Sequence, residues 1–274
     1  PEGCATAGPR RAGPLRVMSL NMLHGFPRFE HLGDRLDLIA GEIKRQDADI
    51  VCLQEVPWRP GLGNAARYLA EETGLNYVYV RANGNRWTIL FQEGEAILSR
   101  YPLRDPGFAE LMPRAGFFEH RVVLAATAAT PWGDIRVFVT HLTNGEPAIN
   151  RAQATSLMSF VETSGGGPAI VAGDFNAKED SPQIQALAGR WVDTYRAAHP
   201  ADVGYTCCVD DLTGRSAASL DERIDYLFLV PGEGLTTRVV DSRRILDQPV
   251  QMGQGWQWAS DHVGLLSTIE IEPK

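Results

Sequence analysis

The chain has 274 residues, of which 44% are hydrophobic and 22% are charged, a balance typical of a folded globular protein and not of a disordered one. Its formal net charge of −8 argues against a protein that coats nucleic acid by neutralising phosphates, but allows an enzyme with a local basic cleft or a bound cation. No run of 18 apolar residues occurs, so the sequence predicts no membrane-spanning helix.

The N-terminal segment, residues 1–14, is rich in Pro, Gly and small residues, and we predict that it is disordered or processed. Because the chain starts at Pro1 and not at Met, Cys4 could mark a removed export signal or a lipid attachment site, or the segment could be a shortened end. The localisation therefore stays open between a soluble cytoplasmic protein and one exported after removal of a signal.

The remaining cysteines predict neither a disulfide nor a zinc site. Cys52 lies inside an apolar run and is predicted to be a small core residue. Cys207 and Cys208 are adjacent, and since neighbouring cysteines seldom pair well, we expect no bond between them. No base lies close to them in sequence, so a reactive thiol is not expected either. Two separated Cys/His pairs, as zinc requires, do not occur.

The first half of the chain alternates between helical periodicity and short apolar runs typical of strands. The helix predicted over 34–46 has apolar residues at helical spacing, and the helix over 64–74 ends at Gly74. The predicted strands here are 15–23, 49–56, 77–80, 95–99 and 121–130.

The second half begins with a hairpin, because the turn sequence "PWGD" joins 121–130 to a further strand. Ser181 is predicted to cap a helix whose first turn holds Pro182. No tandem repeat or long linker is visible, so we predict one domain over 15–274, a mixed α/β protein with helices outside packed sheets. The predicted elements of this half are the strands 135–142, 169–177, 223–230 and 263–271 and the helices 148–162 and 181–189.

Polar side chains follow the apolar strands at several strand ends. Asp174 and Asn176 follow the apolar run 170–172, and period-two alternation predicts that they share one side while Phe175 points away. Any one such residue is more often a solvated loop residue, but their recurrence at sheet edges indicates a single site. The other polar residues at strand ends are Asn21, Glu55, His141, Asp225, Asp261 and His262.

These residue types suit phosphate chemistry. Carboxylate and amide oxygens are ligands for a hard cation such as Mg²⁺, and histidines can donate hydrogen bonds to phosphate oxygens. The sequence has neither a G-x-S-x-G motif nor a Walker loop.

Seven segments spread over residues 16–271 together resemble the endonuclease/exonuclease/phosphatase superfamily, which includes deoxyribonuclease I. The resemblance implies an α/β fold, a four-layer sandwich of two facing, largely antiparallel sheets with helices outside. It also implies a metal-dependent hydrolase of phosphate esters. The segments are, in order, "SLNML", "DIVCLQEV", "EAILSRYPL", "VTHL", "GDFNA", "RIDYLFLV" and "SDHVGLL".

The resemblance also implies roles for the metal-site residues. Glu55 matches the main Mg²⁺ ligand, Asn21 the amide that helps to hold the site, and Asp261 a further acid close to the metal. Mn²⁺ or Ca²⁺ could replace Mg²⁺.

For catalysis, the resemblance implies that Asp174 orients or deprotonates the attacking water and that Asn176 fixes the phosphate or that water. His262 would contact the scissile phosphate while Asp225 keeps it cationic. His141 would bind phosphate or act as an acid, with Glu95 as its partner. In-line attack at phosphorus then needs no covalent enzyme intermediate.

The sequence leaves the substrate open between a small molecule, a phospholipid head group and nucleic acid, and we expect a monomer. Arg81, Arg86 and Trp87 could form a DNA-contacting loop or a solvated connection. A lipid-cleaving enzyme would expose aromatic residues near the site, but these could equally be buried packing. A binding module without catalysis also stays open. The candidate aromatic residues are Phe117, Phe118, Trp256 and Trp258.

Overall fold

The computed structural model describes residues 2–4, 13–116 and 119–273. Its helices are α1 (Leu32–Gln46), α2 (Ala65–Thr73), α3 (Pro147–Thr163), α4 (Pro182–Ala188) and α5 (Thr194–Ala198). Its strands are β1 (Glu2–Cys4), β2 (Leu15–Asn21), β3 (Ile50–Gln54), β4 (Trp58–Arg59), β5 (Gly63–Asn64), β6 (Asn76–Asn85), β7 (Phe91–Ser99), β8 (Leu103–Glu110), β9 (Val122–Thr130), β10 (Gly133–His141), β11 (Ala169–Asp174), β12 (Val192–Asp193), β13 (Asp225–Val230), β14 (Leu235–Ile245), β15 (Val250–Met252), β16 (Gly255–Gln257) and β17 (Gly264–Pro273).

Two large sheets form the centre of the molecule. The first has the strand order β1-β6-β7-β3-β2-β17-β14, with β4 and β5 beside β7, and the second has the order β12-β13-β11-β10-β9-β8. Within the described residues, the pairs β2–β3 and β10–β11 are parallel and the other pairs of these sheets are antiparallel. A small hairpin, β15–β16, forms a sheet of its own.

The sheets pack face to face and the helices cover their outer faces. One buried cluster joins Val17 and Ile50 of the first sheet to Val137 and Ile170 of the second, so apolar side chains fill the space between the sheets. A second cluster packs α1 and α2 on the first sheet, and a third packs α3 and α4 on the second. The order helix, sheet, sheet, helix confirms the predicted four-layer sandwich.

Local signals explain several element boundaries. Asn64 caps α2 by accepting hydrogen bonds from the amides of Ala66 and Arg67, and Gly74 ends that helix with a φ of 70°. Ser181 occupies the N-cap position of α4 as predicted, but its side chain forms no capping hydrogen bond. The predicted hairpin is confirmed, because β9 and β10 pair antiparallel across the "PWGD" turn.

The predicted disordered segment 1–14 is described only in part. Glu2–Cys4 pairs antiparallel with β6, whereas residues 1 and 5–12 lie outside the described residues. The domain boundary at residue 15 therefore stays a prediction. Cys52 is fully buried in the cluster between the sheets, as expected of a core residue. None of the described helices is both long and apolar enough to cross a membrane.

Candidate active site

The polar residues predicted from strand ends meet at one edge of the sandwich. Strand register explains part of this convergence. His141, Asp174 and Asp225 lie side by side, because Asp174 is the register partner of His141 on β10 and of Asp225 on β13. On the facing sheet, Asn21 ends β2, and Glu55 follows the neighbouring strand β3. Both sheets therefore contribute side chains to the same place.

Close approach of β10 and β11 requires the glycine that precedes Asp174. A Cβ atom at Gly173 would lie 2.1 Å from the carbonyl oxygen of Thr140, which is much closer than atoms can approach. The apolar run before Asp174 is buried on both faces, because Val171 packs under α3 and α4 and Ile170 and Ala172 pack between the sheets. The "GD" pair in the sequence thus sets the strand spacing that brings Asp174 beside His141.

Asp174 lies at the centre of the site. Its Oδ2 accepts a hydrogen bond from Asn21 Nδ2 at 3.0 Å and lies 3.4 Å from His141 Nε2 and 3.7 Å from His262 Nε2. Burial, and secondly the negative charge of Asp225, raise the pKa of Asp174 to about 7, although His262 and Asn21 act in the opposite direction. A carboxylate with this pKa exchanges protons readily near neutral pH.

Asn176 reaches the site through a turn and not through strand alternation. The strand β11 ends at Asp174, and Asn176 adopts a left-handed backbone conformation with φ 46°. Its amide N–H donates to Asp174 Oδ1 at 2.8 Å, while its side-chain Nδ2 donates to the Leu142 carbonyl at 2.9 Å. The prediction that Asp174 and Asn176 converge holds, but the extended geometry behind it was wrong, because the chain turns at this point.

Asp225 holds His262 in its cationic form. His262 Nδ1 lies 2.9 Å from Asp225 Oδ2, and both side chains are buried. Burial by itself lowers the pKa of His262, but the charge and hydrogen bond of Asp225, with Asp174 and Asp261, raise it well above its usual value. At neutral pH His262 is therefore an imidazolium whose Nε2 faces the site.

His141 has the opposite protonation state. Burial, and secondly the positive charge of Arg121, hold the pKa of His141 well below its usual value. A neutral ring can accept at Nε2, where Asn176 Nδ2 lies at 3.0 Å. The two histidines thus differ in charge at neutral pH, and His262 is the cationic one.

The predicted pairing of His141 with Glu95 is not formed in this structure. His141 Nδ1 and Glu95 Oε2 are both buried without a hydrogen-bond partner. Burial, and secondly the charge of Glu93, raise the pKa of Glu95 well above its usual value, and burial lowers the pKa of His141. Both shifts disfavour the charged forms that an ion pair between the two side chains requires.

Glu55, Asn21 and Asp261 fit a divalent cation. Asn21 Nδ2 donates to Glu55 Oε1 at 3.2 Å, and the His24 amide donates to Glu55 Oε2 at 3.1 Å. Burial, and to a lesser degree the charge of Glu55, raise the pKa of Asp261. Among the described residues, no Lys or Arg forms an ion pair with Glu55 or Asp261. Arg35 acts on both carboxylates electrostatically, and His24 Nε2 lies 3.5 Å from Glu55 Oε2. Carboxylate and amide oxygens grouped in this way are the donor set that Mg²⁺ prefers.

A second acidic group, Asp174, Asp225 and His262, places its ligand atoms within 4.8 Å of one another. Both ring nitrogens of His262 already face carboxylates in this group. We therefore interpret it as a charge-paired cluster around a cationic histidine. It is therefore distinct from the predicted cation ligands Asn21, Glu55 and Asp261.

Some site residues gave no signal in the sequence. Arg35, fully buried on α1, donates to the carbonyl oxygens of Met22 at 2.7 Å and Leu23 at 2.9 Å, so it fixes the chain after Asn21. Arg121 lines the cleft and donates to Glu119. Neither residue follows an apolar strand, and only the fold brings them to the site.

The site opens into a cleft of about 480 Å³. A neighbouring cavity of about 730 Å³ shares Lys178 and Glu222 with this cleft, and these two residues form an ion pair of 2.7 Å. The cleft is lined by Glu55, Arg121, His141, Asn144, Asp174, Asn176, Lys178, Cys207, Cys208, Asp261 and His262, among others.

Cys207 and Cys208 are bonded to each other, so the expectation that they would not pair was wrong. Cys207 forms antiparallel bridges with Glu222 and with His262, so backbone contacts on both sides fix the conformation of this pair. The hydrogen bonds between the backbones of Cys207 and Glu222 hold the segment against the site. The Cys207 sulfur lies 3.6 Å from His262 Nε2, although the two residues are 55 positions apart in sequence.

The aromatic residues considered as substrate or lipid contacts differ in their burial. Trp258 is fully buried and its Nε1 donates to the Gly214 carbonyl at 3.0 Å, so the packing interpretation is correct for this residue. Trp256 is half-buried beneath the guanidinium of Arg215, 4.5 Å from the ring centre. Phe117 and Phe118 lie outside the described residues. Trp87 is exposed on the turn between β6 and β7.

A family model described as "Endonuclease/Exonuclease/phosphatase family" matches residues 18–262. This range contains all nine predicted site residues, from Asn21 to His262. No curated protein matches the chain.

Solved structures similar to this chain share its fold at low sequence identity. An endonuclease/exonuclease/phosphatase from Beutenbergia cavernae is 24% identical, with a TM-score of 0.69, covering 94% of this chain and 72% of that one. The mannosyl-6-phosphatase Bt3783 of Bacteroides thetaiotaomicron is 18% identical, with a TM-score of 0.71 and coverage of 94% and 99%. A humanized TDP2 of D. rerio is 16% identical, with a TM-score of 0.73 and the same coverage.

Proposed function

Because the chain belongs to the endonuclease/exonuclease/phosphatase family of metal-dependent phosphoester hydrolases, we propose that it cleaves a phosphodiester or phosphomonoester with Mg²⁺ and an activated water. The observation that carries the proposal is the placement of Asp174. This buried carboxylate has a pKa of about 7 and lies between the amide of Asn21 and the cationic His262. Asp174 can therefore act as the base, and His262 supplies a positive charge next to it.

In this mechanism Asp174 accepts a proton from the attacking water, and the backbone amide of Asn176 keeps the carboxylate in place. The imidazolium of His262 donates from Nε2 to a phosphate oxygen and stabilises the charge that grows there. Asp225 positions that ring through Nδ1 and preserves its charge.

Neutral His141 and the side chain of Asn176 bind the phosphate or the water from the other side. Glu55, Asn21 and Asp261 would hold the divalent cation. When bound, the cation supplies positive charge to the phosphate oxygens. We expect Mg²⁺ as the natural ion and Mn²⁺ or Ca²⁺ as possible substitutes.

Turnover of bis-p-nitrophenyl phosphate with and without Mg²⁺ tests this proposal. We expect Mg²⁺-dependent release of p-nitrophenol that EDTA stops. A folded protein with no turnover of this diester or of p-nitrophenyl phosphate under any divalent cation would instead indicate a binding module.

A substrate panel then separates the classes that the sequence left open. It consists of plasmid DNA, an abasic oligonucleotide, sphingomyelin, phosphoinositides and mannose 6-phosphate. The last is included because one structural neighbour is named as a mannosyl-6-phosphatase. The preferred class is the one with the highest kcat/KM at saturating Mg²⁺.

A further inference from the structure

The turn between β6 and β7 exposes three apolar side chains. Trp87 is 90% exposed, Leu90 52% and Ile89 48%. Asn85 holds the turn together, because its Oδ1 accepts hydrogen bonds from the backbone amides of Trp87 at 3.1 Å and Thr88 at 2.7 Å. A group of exposed apolar side chains on a protein surface indicates an interaction site.

The apolar surface continues toward the active site. Phe26, which is 42% exposed, stacks on Phe91 with ring centres 4.5 Å apart, and Phe91 directly follows Leu90. His24 contacts Phe91 at 5.0 Å, and its amide donates to the predicted metal ligand Glu55. We define the apolar rim as Phe26, Trp87, Ile89 and Leu90.

Arginines and glutamates alternate in the chain around the apolar rim, and the turn itself carries only arginines. Three segments, 22–29, 56–70 and 81–92, meet here. Strand pairing joins Trp58 to Gln92, and the guanidinium of Arg59 lies 5.0 Å from the ring centre of Phe29. The turn segment 81–92 contains Arg81 and Arg86 and no acidic residue. The three segments together contain Arg28, Arg59, Arg67, Arg81 and Arg86, and the glutamates that directly adjoin their ends are Glu30, Glu55, Glu71 and Glu93.

Two of these arginines have acidic partners just outside the segments. Arg28 pairs with Glu30 and Arg67 with Glu71, but all four side chains are largely exposed, so these pairs are weak. Arg81 is exposed and donates only to the backbone carbonyl of Gly84 among the described residues. The turn that exposes Trp87, Ile89 and Leu90 therefore carries positive charge of its own, through Arg81 and Arg86.

We propose that the apolar rim docks on a phospholipid surface, with Trp87, Ile89 and Leu90 entering the interface. The arginines would then face the phosphates of the head groups. Tryptophan with aliphatic neighbours and flanking arginines is the chemistry of interfacial binding, in which apolar area and electrostatic attraction add. Single-stranded nucleic acid would use Trp87 for stacking, but Ile89 and Leu90 have no ring to offer a base. The inference does not depend on the proposed function.

The test compares two triple variants for co-sedimentation with phosphatidylcholine vesicles, with and without phosphatidylserine, in EDTA. One variant is Trp87→Ser with Ile89→Ser and Leu90→Ser. The matched control replaces three apolar residues exposed on other strands by Ser: Phe108, Val192 and Val240.

We expect the wild type and the control to bind vesicles, more strongly with phosphatidylserine, and the rim variant to lose roughly tenfold or more of this binding. Turnover of bis-p-nitrophenyl phosphate should be the same in all three proteins. Equal vesicle binding by the two variants would overturn the proposal. So would a wild type that ignores vesicles, whether it binds single-stranded oligonucleotide by anisotropy or self-associates through the rim in light scattering.

Discussion

Asp225→Asn is predicted to remove the charge of His262 without removing the side chain that positions it. In the native site, Asp225 Oδ2 lies 2.9 Å from His262 Nδ1, and its charge opposes the lowering of the His262 pKa by burial. An amide oxygen can still accept from Nδ1 but has no net charge. Burial then dominates, so the pKa of His262 falls and the ring is neutral at pH 7.

The expected loss of activity follows from the role of the imidazolium as a donor to developing negative charge. Removing one such donor typically lowers kcat by about 10²–10³, or about 2.7–4 kcal/mol in the activation barrier. Since the amide still positions the ring, we take the lower end, roughly a hundredfold loss in kcat at neutral pH.

The sign of the stability change follows from the raised pKa. A histidine whose pKa is raised by folding contributes stability that is present below its unfolded pKa of about 6.5 and is lost as the pH rises through the folded pKa. The difference in free energy of unfolding between wild type and Asp225→Asn should therefore be largest near pH 6 and shrink in alkaline solution.

The assay combines pH–rate profiles on bis-p-nitrophenyl phosphate with NMR titration of the His262 ring and urea unfolding. Activity of the variant should be lowered most at and above neutral pH, where the ring has lost its proton while Asp174 is ionised. Asp134→Asn, at an exposed carboxylate of β10, is the control and should change nothing. An unchanged His262 titration, or full activity of Asp225→Asn at pH 8, would refute the reasoning.

Three further predictions use other parts of the site. Asp174→Ala should reduce turnover by at least about a thousandfold, because the base is removed. Urea unfolding should stay cooperative, because the strand β11 still forms. Near-native turnover would argue against a role of Asp174 as the base. Glu55→Gln should raise the Mg²⁺ concentration for half-maximal activity by about tenfold or more, measured by Mg²⁺ titration, since one charged ligand becomes neutral; an unchanged midpoint would place the cation elsewhere. Gly173→Ala should destabilise the fold by about 3 kcal/mol or more in urea, because the added Cβ meets the Thr140 carbonyl at 2.1 Å. The control is Gly41→Ala on the exposed face of α1, where a Cβ atom would meet no neighbouring atom. It should stabilise the protein by up to about 1 kcal/mol. Equal changes in the free energy of unfolding for the two variants would contradict the role of Gly173 in strand spacing.

The interior of the fold was predictable because burial leaves a pattern in the sequence. The central strands β3 and β11 are buried along their length, so they read as short apolar runs. The edge strands β8 and β14 were not predicted, because they lack such burial. They lie at the ends of their sheets, are partly exposed, and contain Pro106 or several charged residues, so no burial pattern marks them.

The site was predictable where a strand end delivers a side chain, as at Asn21, His141 and Asp174. It was not predictable where geometry depends on a turn or on a distant element. Asn176 reaches the site because its own backbone is left-handed, and Cys207 contacts His262 from a segment 55 residues away in sequence.

Hydrolysis in ¹⁸O-labelled water shows whether a water activated beside Asp174 attacks phosphorus. With bis-p-nitrophenyl phosphate and Mg²⁺, we expect one ¹⁸O atom in the p-nitrophenyl phosphate formed and none in the p-nitrophenol, with both products absent in EDTA. Label in the p-nitrophenol, or a rate that is indifferent to EDTA, would contradict this mechanism.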